Sequence, residues 1–321
     1  MKLKSLCCAL ILLSSLALAK EPNRPECIAP AQPGGGFDLT CKFIQVGMLD
    51  AKLLTKPMRV TYLPGGVGVV AYNTMITNKA KDANVVTAFS SGTLLNIATG
   101  KHGKYNENDV KWLASAGVDY GMVAVRADSP IKSFQDLITA LKKDPGSISV
   151  AAGGSIGGQD WMQTALLSKA AGIDVKKIRF VAFEGGGDAF SALLGGHVHV
   201  LSGGIAELLP HVEAKSVRVL ALFSPERLSG VLASVPTAKE LGYDVQWVTL
   251  RGYYMAPKIT NEEYNWWLEA FNKFHQSEAY KEQLKQRGLF EFKKTGKEFE
   301  DFVKKQVQDY RVLAKEFGLI K

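Results

Sequence analysis

Chemically reactive side chains are thin along this chain. Five histidines and four cysteines serve 321 residues, and no stretch gathers them at the spacing of a metal site. His197 and His199 in GGHVHV would share one face of a strand, but no third ligand stands near, so ordinary strand-face histidines account for the pair. No glycine cluster runs into Lys-Ser or Lys-Thr, which removes a Walker-type phosphate loop. The nearest approach to a nucleophile elbow, Gly153-Gly154-Ser155-Ile156-Gly157, misses the G-x-S-x-G spacing by one place. No nucleophile, base and orienter assemble, so no catalytic residue, metal site or cofactor is expected and the chain does not read as an enzyme. Low-complexity tethers and close internal repeats are absent as well, which excludes a solenoid.

Only one apolar run stands out, and it lies at the start. MKLKSLCCALILLSSLALAK has a basic opening, an apolar stretch too short to span a bilayer and an Ala-x-Ala site, the pattern of a cleaved export signal. Residues 1–19 are therefore expected to be removed, leaving a soluble periplasmic protein. The formal charge of +8 falls to +6 once Lys2 and Lys4 leave with the signal. The remaining lysines are scattered and no aromatic-interleaved basic patch appears, so neither nucleic acid nor an anionic membrane is an expected partner. Cys27 and Cys41 remain, an even pair in an oxidising compartment. A disulfide would staple the first glycine loop, and two buried free thiols are the alternative.

What the chain does hold is glycine at strand ends. CIAPA leads into PGGGFD, MRVTYL into PGGVG, VVTAF into SSGTLLNIA, SISVAA into GGSIGGQD, IRFVAF into EGGGDAF, and VHVLS into GGIAELL. Strands alternating with helices in this way argue for an α/β fold with parallel sheets. Ser133 with Asp136 reads as a helix start and Gly172 as a helix end. Trp266, Trp267 and Phe271 fit the core face of a C-terminal helix. Crossings between two domains are expected near Asp119 to Arg126 and Ala221 to Ser224, giving lobes of 20–119 plus 225–321 and of 120–224, with a hinge between them.

The glycine turns admit three readings. A dinucleotide site is one, since Gly66-x-Gly68-x-x-Ala71 follows a strand, but the next strand ends in Ala88-Phe89-Ser90 without the acid that would hold a ribose. Catalysis is the second and lacks its residues. The third is reversible binding of a small carboxylate by helix N-termini, each carrying about half a positive charge and unpaired N–H groups. Ser90, Ser91, Thr93, Ser155 and Ser202 add hydroxyls. Asp38, a carboxylate behind three glycines, is expected to cap a Thr40–Leu54 helix by accepting a main-chain N–H, or else to orient a bridging water.

Taken in order, PAQPGGGFDLTC, PGGVGVVAYN, AAGGSIGGQD, FEGGGDAFSALLGGHVHV, VPTAKELGYDV and RGYYMAP resemble the receptors of tripartite tricarboxylate transporters, the Bug family, over essentially the whole mature chain. The resemblance implies a two-lobed periplasmic-binding-protein fold of the type II, Venus-flytrap kind, closing on a carboxylate. It implies contacts from Gly34, Gly35, Gly36, Phe37 and Asp38, with Phe37 at the mouth, and from Ser90, Ser91, Gly92 and Thr93. Gly154, Ser155, Gly157, Gly158 and Gln159 form a third loop, and Gly185, Gly186, Gly187 and Asp188 a fourth. A membrane permease would be the partner and the receptor a monomer. The chain departs from many members at Cys41-Lys42, Phe183 and Glu184. The Cys27/Cys41 pair resembles the tricarboxylate-type receptors, which implies citrate or tricarballylate, with another acid as the alternative. Arg251 is a candidate for an extra carboxylate, with a surface or interlobe salt bridge as its other reading. An exported enzyme and a sensory receptor on the same scaffold are the rival functions.

Overall fold

The computed structural model describes residues 21–321; the expected signal at 1–19 lies outside them. The first elements are β1 (Glu26–Ala29), α1 (Gly36–Asp50), β2 (Arg59–Tyr62), α2 (Val69–Thr77), β3 (Val85–Ser90) and α3 (Ser91–Ala98). The middle of the chain forms β4 (Lys111–Arg126), α4 (Phe134–Lys143), β5 (Ser149–Gly153), α5 (Gln159–Ala170), β6 (Arg179–Phe183) and α6 (Gly186–Leu194). Then come β7 (Val200–Gly204), α7 (Ile205–Glu213), β8 (Val217–Leu222), β9 (Val248–Met255), α8 (Asn261–His275), α9 (Glu278–Gln286) and α10 (Gly296–Glu316).

Each strand–glycine–helix unit read from the sequence is present. The strands run in the order β2-β1-β3-β9-β4-β7-β5-β6, with β8 also on β4. Parallel pairing is confined to the two ends, β2-β1-β3 and β7-β5-β6, while β9 and β4 are antiparallel to their neighbours. The expectation of parallel sheets therefore needs a correction at the centre. There β9 returns late in the chain and slots between β3 and β4, a placement that no local pattern announces.

The long strand β4 serves both halves. Lys111 to Tyr120 pair with β9, and from Gly121 the same strand pairs with β7. The chain comes back beside it, where Phe223 N–H donates to the Gly121 carbonyl at 2.8 Å and Trp247 N–H donates to the Phe223 carbonyl at 2.8 Å. β3, VVTAFS, is buried at every position, as suits a strand covered by helices on both faces. Trp267 and Phe271 are fully buried in the core and Trp266 packs against it.

Helix α1 starts at Gly36, four residues before the expected Thr40, and gives way at Ala51 and the left-handed Lys52 (φ 57°). Of the glycines behind β1, Gly34 lies in the turn, Gly35 is the residue before the helix and Gly36 is its first residue. Ser133 and Asp136 form a reciprocal capping box on α4, as expected. No helix among the described residues is long and apolar enough to cross a membrane.

Cys27 on β1 and Cys41 on α1 are joined in a disulfide, with Cα atoms 5.6 Å apart. The closed loop contains the glycine turn and fixes where α1 leaves the sheet. A loop of this length removes about 3 kcal/mol of freedom from the unfolded chain in the chain-entropy view. Reduction, or the double change Cys27→Ala/Cys41→Ala, should therefore lower the melting temperature by several degrees in a thermal scan, and neither Cys27 nor Cys41 should titrate as a free thiol in the native protein.

Candidate ligand cleft

Helix starts among the described residues differ in what the residue before them offers. α3, α4, α8 and α9 begin behind Ser90, Ser133, Thr260 and Ser277, whose hydroxyls accept a main-chain N–H of the first turn, while Thr295 before α10 makes no such bond. α1, α2, α5, α6 and α7 begin behind Gly35, Gly68, Gly158, Gly185 and Gly204, which have no side chain to offer. First-turn N–H groups of a helix have no partner inside it, so these five starts need one from elsewhere. α1 and α6 meet across a narrow crevice of about 30 Å³, closed down to room for little more than ordered water. It is lined by Ala31, Gly35, Gly36, Phe37, Val67, Ser90, Gly153, Gln159, Asp160, Glu184, Gly185, Gly186, Glu207 and Arg251.

The halves are in contact across it. Gln159 on α5 accepts from Ser90 Oγ at 3.0 Å and from the Gly92 N–H at 2.9 Å. Lys101 Nζ donates to Ser155 Oγ at 2.9 Å and to the Ile156 carbonyl at 3.1 Å. A Cβ on Gly35 would lie 3.5 Å from the Gly187 nitrogen, so the first and fourth glycine turns nearly touch.

Several exposed donors are met by the protein's own acids. Asp38 accepts the Gly34 N–H at 2.8 Å and also holds Lys42 Nζ at 2.8 Å and the Tyr62 hydroxyl at 2.9 Å. Asp119, on β4, accepts the Ala206 N–H at the start of α7 at 3.1 Å. Asp160 accepts the Gly153 N–H at 2.9 Å. Glu207, from α7, reaches the Gly36 main chain at the start of α1.

Arg251 on β9 organises this cluster. Its guanidinium is almost wholly buried and donates from Nη2 to Asp119 at 2.7 Å and to Glu207 at 3.0 Å. Burial alone would lower its pKa, but Asp119 and Glu207 outweigh that and hold it charged. Its Nε has no acceptor among the described residues. Burial raises the Glu207 carboxyl, and the charge of Arg251 only partly offsets this. Burial, reinforced by the nearby Glu207 charge, pushes Asp160 up to about 7, with Gln159, Gly153 and Arg251 pulling the other way. Several positions here leave no room for a side chain, among them Gly153, where a Cβ would fall 2.7 Å from the Gly186 main-chain nitrogen. A Cβ on Gly36 would fall 2.0 Å from Arg251 Nη1, and one on Gly186 would fall 1.9 Å from Glu207 Oε2.

Comparison with known proteins decides what this arrangement belongs to. Residues 42–319 match the family described as tripartite tricarboxylate transporter family receptor. The chain is a member of that family. A relative from Cupriavidus necator, the UPF0065 protein in the gbd 5′ region, is 28% identical over 94% of this chain and 90% of its own. The periplasmic binding protein BugD superposes with a TM-score of 0.83 at 19% identity, covering 93% of this chain and 99% of that one. MatC from Rhodopseudomonas palustris, solved with bound malate, superposes with a TM-score of 0.77 at 19% identity over 90% and 98% of the two chains. The fold is the two-lobed periplasmic-binding-protein fold.

Within the receptor, the expected site residues separate. Gly35, Gly36, Phe37, Ser90, Gln159, Gly185, Gly186 and Arg251 line the crevice, and Gly187 abuts the Gly34–Gly35 main chain. Asp38 does accept a main-chain N–H, but that of Gly34, ahead of a helix that begins at Gly36. Gly34 itself takes a left-handed φ of 93°, which lets the turn fold back onto Asp38. Ser91 accepts the Leu250 N–H and Ser202 donates to the Asp160 carbonyl, so both hydroxyls are spent inside the fold. Gly92 is held by Gln159, and Thr93, Gly154, Ser155, Gly158 and Asp188 lie outside the lining. Gly157 sits against Leu319 instead. Arg251 forms a buried ion pair between the halves, the second of its two readings, while still facing the crevice. Asp119, Asp160 and Glu207 were missed as site residues. The available signal was an acid within three residues of a glycine helix start, visible in GGQD and GGIAE.

Two outcomes follow from this geometry. Between pH 3.8 and about 7 the native Asp160 keeps a proton that an unfolded aspartate releases, so stability falls as the pH rises through that window. His102 and His275, pushed down to about 4 by burial, act in the opposite sense below 6.5, so the effect is read between pH 6.5 and 8. There the melting temperature should decline with pH, and Asp160→Asn should flatten the decline; an unchanged slope would place the titration elsewhere. At Gly35 the backbone is extended (φ −94°), so Gly35→Val is free of strain, yet its methyls would press on Gly186 and Gly187. Calorimetry should show at least a tenfold loss of ligand affinity, with the unliganded melting temperature changed by only a few degrees.

Proposed function

We propose that the chain is an extracytoplasmic receptor that captures a small organic acid between its lobes and presents the closed form to membrane permease subunits. The crossings at β4 and near Phe223 support lobes of residues 20–119 plus 225–321 and of 120–224. The observation that carries the reading is the facing of two uncapped helix starts, α1 and α6, across a crevice that also holds a buried guanidinium. Such a site attracts a carboxylate through main-chain donors and one fixed positive charge. The crevice brings together no nucleophile, base and orienter, which supports capture and release rather than turnover.

Family membership supports uptake through a transporter over signalling. The malate held by MatC supports an acid of few carbons. The disulfide-stapled first turn favours a citrate-like acid on resemblance, whereas the carboxyls of Asp119, Asp160 and Glu207 around one guanidinium favour an acid of lower charge. We adopt the second.

The test is calorimetric titration of the full mature chain with citrate, tricarballylate, glutamate and nicotinate, followed by chromatography of each mixture after prolonged incubation. Saturable binding with the ligand recovered unchanged supports the receptor. Steady formation of a product, or no binding to any small acid, would overturn it.

A further inference from the structure

The crevice of a carboxylate receptor should be poor in acids, and this one is not. Glu207 crosses from α7 to the place where a ligand's anion would otherwise sit. Its Oε1 is 3.0 Å from Arg251 Nη2, and its Oε2 occupies the space that a side chain at Gly186 would need. The same carboxyl reaches the Gly36 main chain. One of the anion positions between α1 and α6 is therefore filled by the chain itself. Asp160 and Glu184 line the same crevice, and Asp119 lies behind Arg251. Against these stands one guanidinium, already shared by two carboxylates. Of the nearby ammonium groups Lys42 is paired with Asp38, while Lys101, outside the crevice lining, donates to Ser155 Oγ and the Ile156 carbonyl and keeps its charge.

Like charges brought together out of water repel strongly, so a di- or tricarboxylate entering here would meet repulsion at each additional group. A single carboxylate still finds partners. Among the described residues Arg251 Nε is buried without an acceptor, and Gly186 and Gly187 open α6 behind Gly185, an N-cap residue with no side-chain cap. What the crevice offers in excess is acceptors, on Glu207 and Asp160.

We propose that Glu207 sets the ligand class of the cleft, excluding multiply charged acids and selecting a zwitterion whose single carboxylate faces Arg251 and α6 while a protonated nitrogen faces Glu207 and Asp160. The inference rests on the carboxylate-receptor reading and narrows it. Glu207 is then a specificity residue: its carboxylate repels a second carboxylate of the ligand and attracts an ammonium, the paired attraction and exclusion by which sites discriminate.

The experiment uses matched pairs that differ only in the amino group: aspartate and succinate, glutamate and glutarate, phenylalanine and 3-phenylpropionate. Each is titrated calorimetrically at pH 7.5 into the mature protein and into Glu207→Gln, whose folding is checked by thermal melt. In the native protein the amino member of at least one pair should bind ten or more times tighter than its deaminated partner, and citrate should bind more weakly than that amino acid. Glu207→Gln should reduce the ratio at least fivefold and strengthen binding of the diacid. If citrate or a deaminated acid binds as well as every amino acid, or the ratio survives in a folded Glu207→Gln protein, this inference falls and the receptor reading stands. If no acid of any kind binds, both fall. Should the variant fail to fold, the native ratio alone decides.

Discussion

A guanidinium withdrawn from water must be neutralised where it lies, and that requirement shapes the centre of this protein. Arg251 comes from β9, Asp119 from β4 at the crossing between the two halves, and Glu207 from α7 on the far side. Removing one member of a buried ion group leaves an uncompensated charge, at a cost of about 3–5 kcal/mol. The cluster therefore fixes how β9 and β4 meet α7, and with them the mouth that α1 and α6 present. Gly36 and Gly186 exist as glycine because this cluster comes too close to their main chains for any side chain to fit.

The glycine turns and the buried acids are two parts of one device. Uncapped helix starts create positive ends, and internal carboxylates answer two of them, Asp119 at Ala206 and Glu207 at Gly36, while Asp38 and Asp160 hold the turn and strand-end N–H groups of Gly34 and Gly153. The starts of α5 and α6 and the Nε of Arg251 have no such partner among the described residues. Selectivity then depends less on how many donors the fold exposes than on which of them it has already used.

The sequence carried the alternation of strand, glycine and helix in plain sight, because each unit is set by local patterning and turn chemistry. The capping box at Ser133 and Asp136 and the buried faces of Trp267 and Phe271 were legible for the same reason. The position of β9 between β3 and β4 was not, since it depends on a pairing between residues more than a hundred apart. The site was readable to a similar depth. Glycines such as Gly35 and Gly185 announce themselves, whereas Glu207 looks like any acid in the first turn of a helix until β9 brings Arg251 to it. Ser91 and Ser202 misled for the converse reason: a hydroxyl near a glycine turn reads the same whether it faces a ligand or closes a hydrogen bond within the fold.

The last helix bridges the division between the halves. Arg311 grips Glu107 through two bonds of 2.8 and 2.7 Å, and Phe299, Val303 and Val307 are fully buried, which anchors the shaft of α10 to one side. Its tip belongs to the other: Phe317 meets Trp161 edge-on with ring centroids 5.9 Å apart, Glu316 pairs with Lys169, and Leu319 covers Gly157. Any swing that widens the crevice must either slide α10 along its bed or part the Phe317–Trp161 rings. The carboxyl-terminal turn thus ties the two halves together at a point away from the crevice lining.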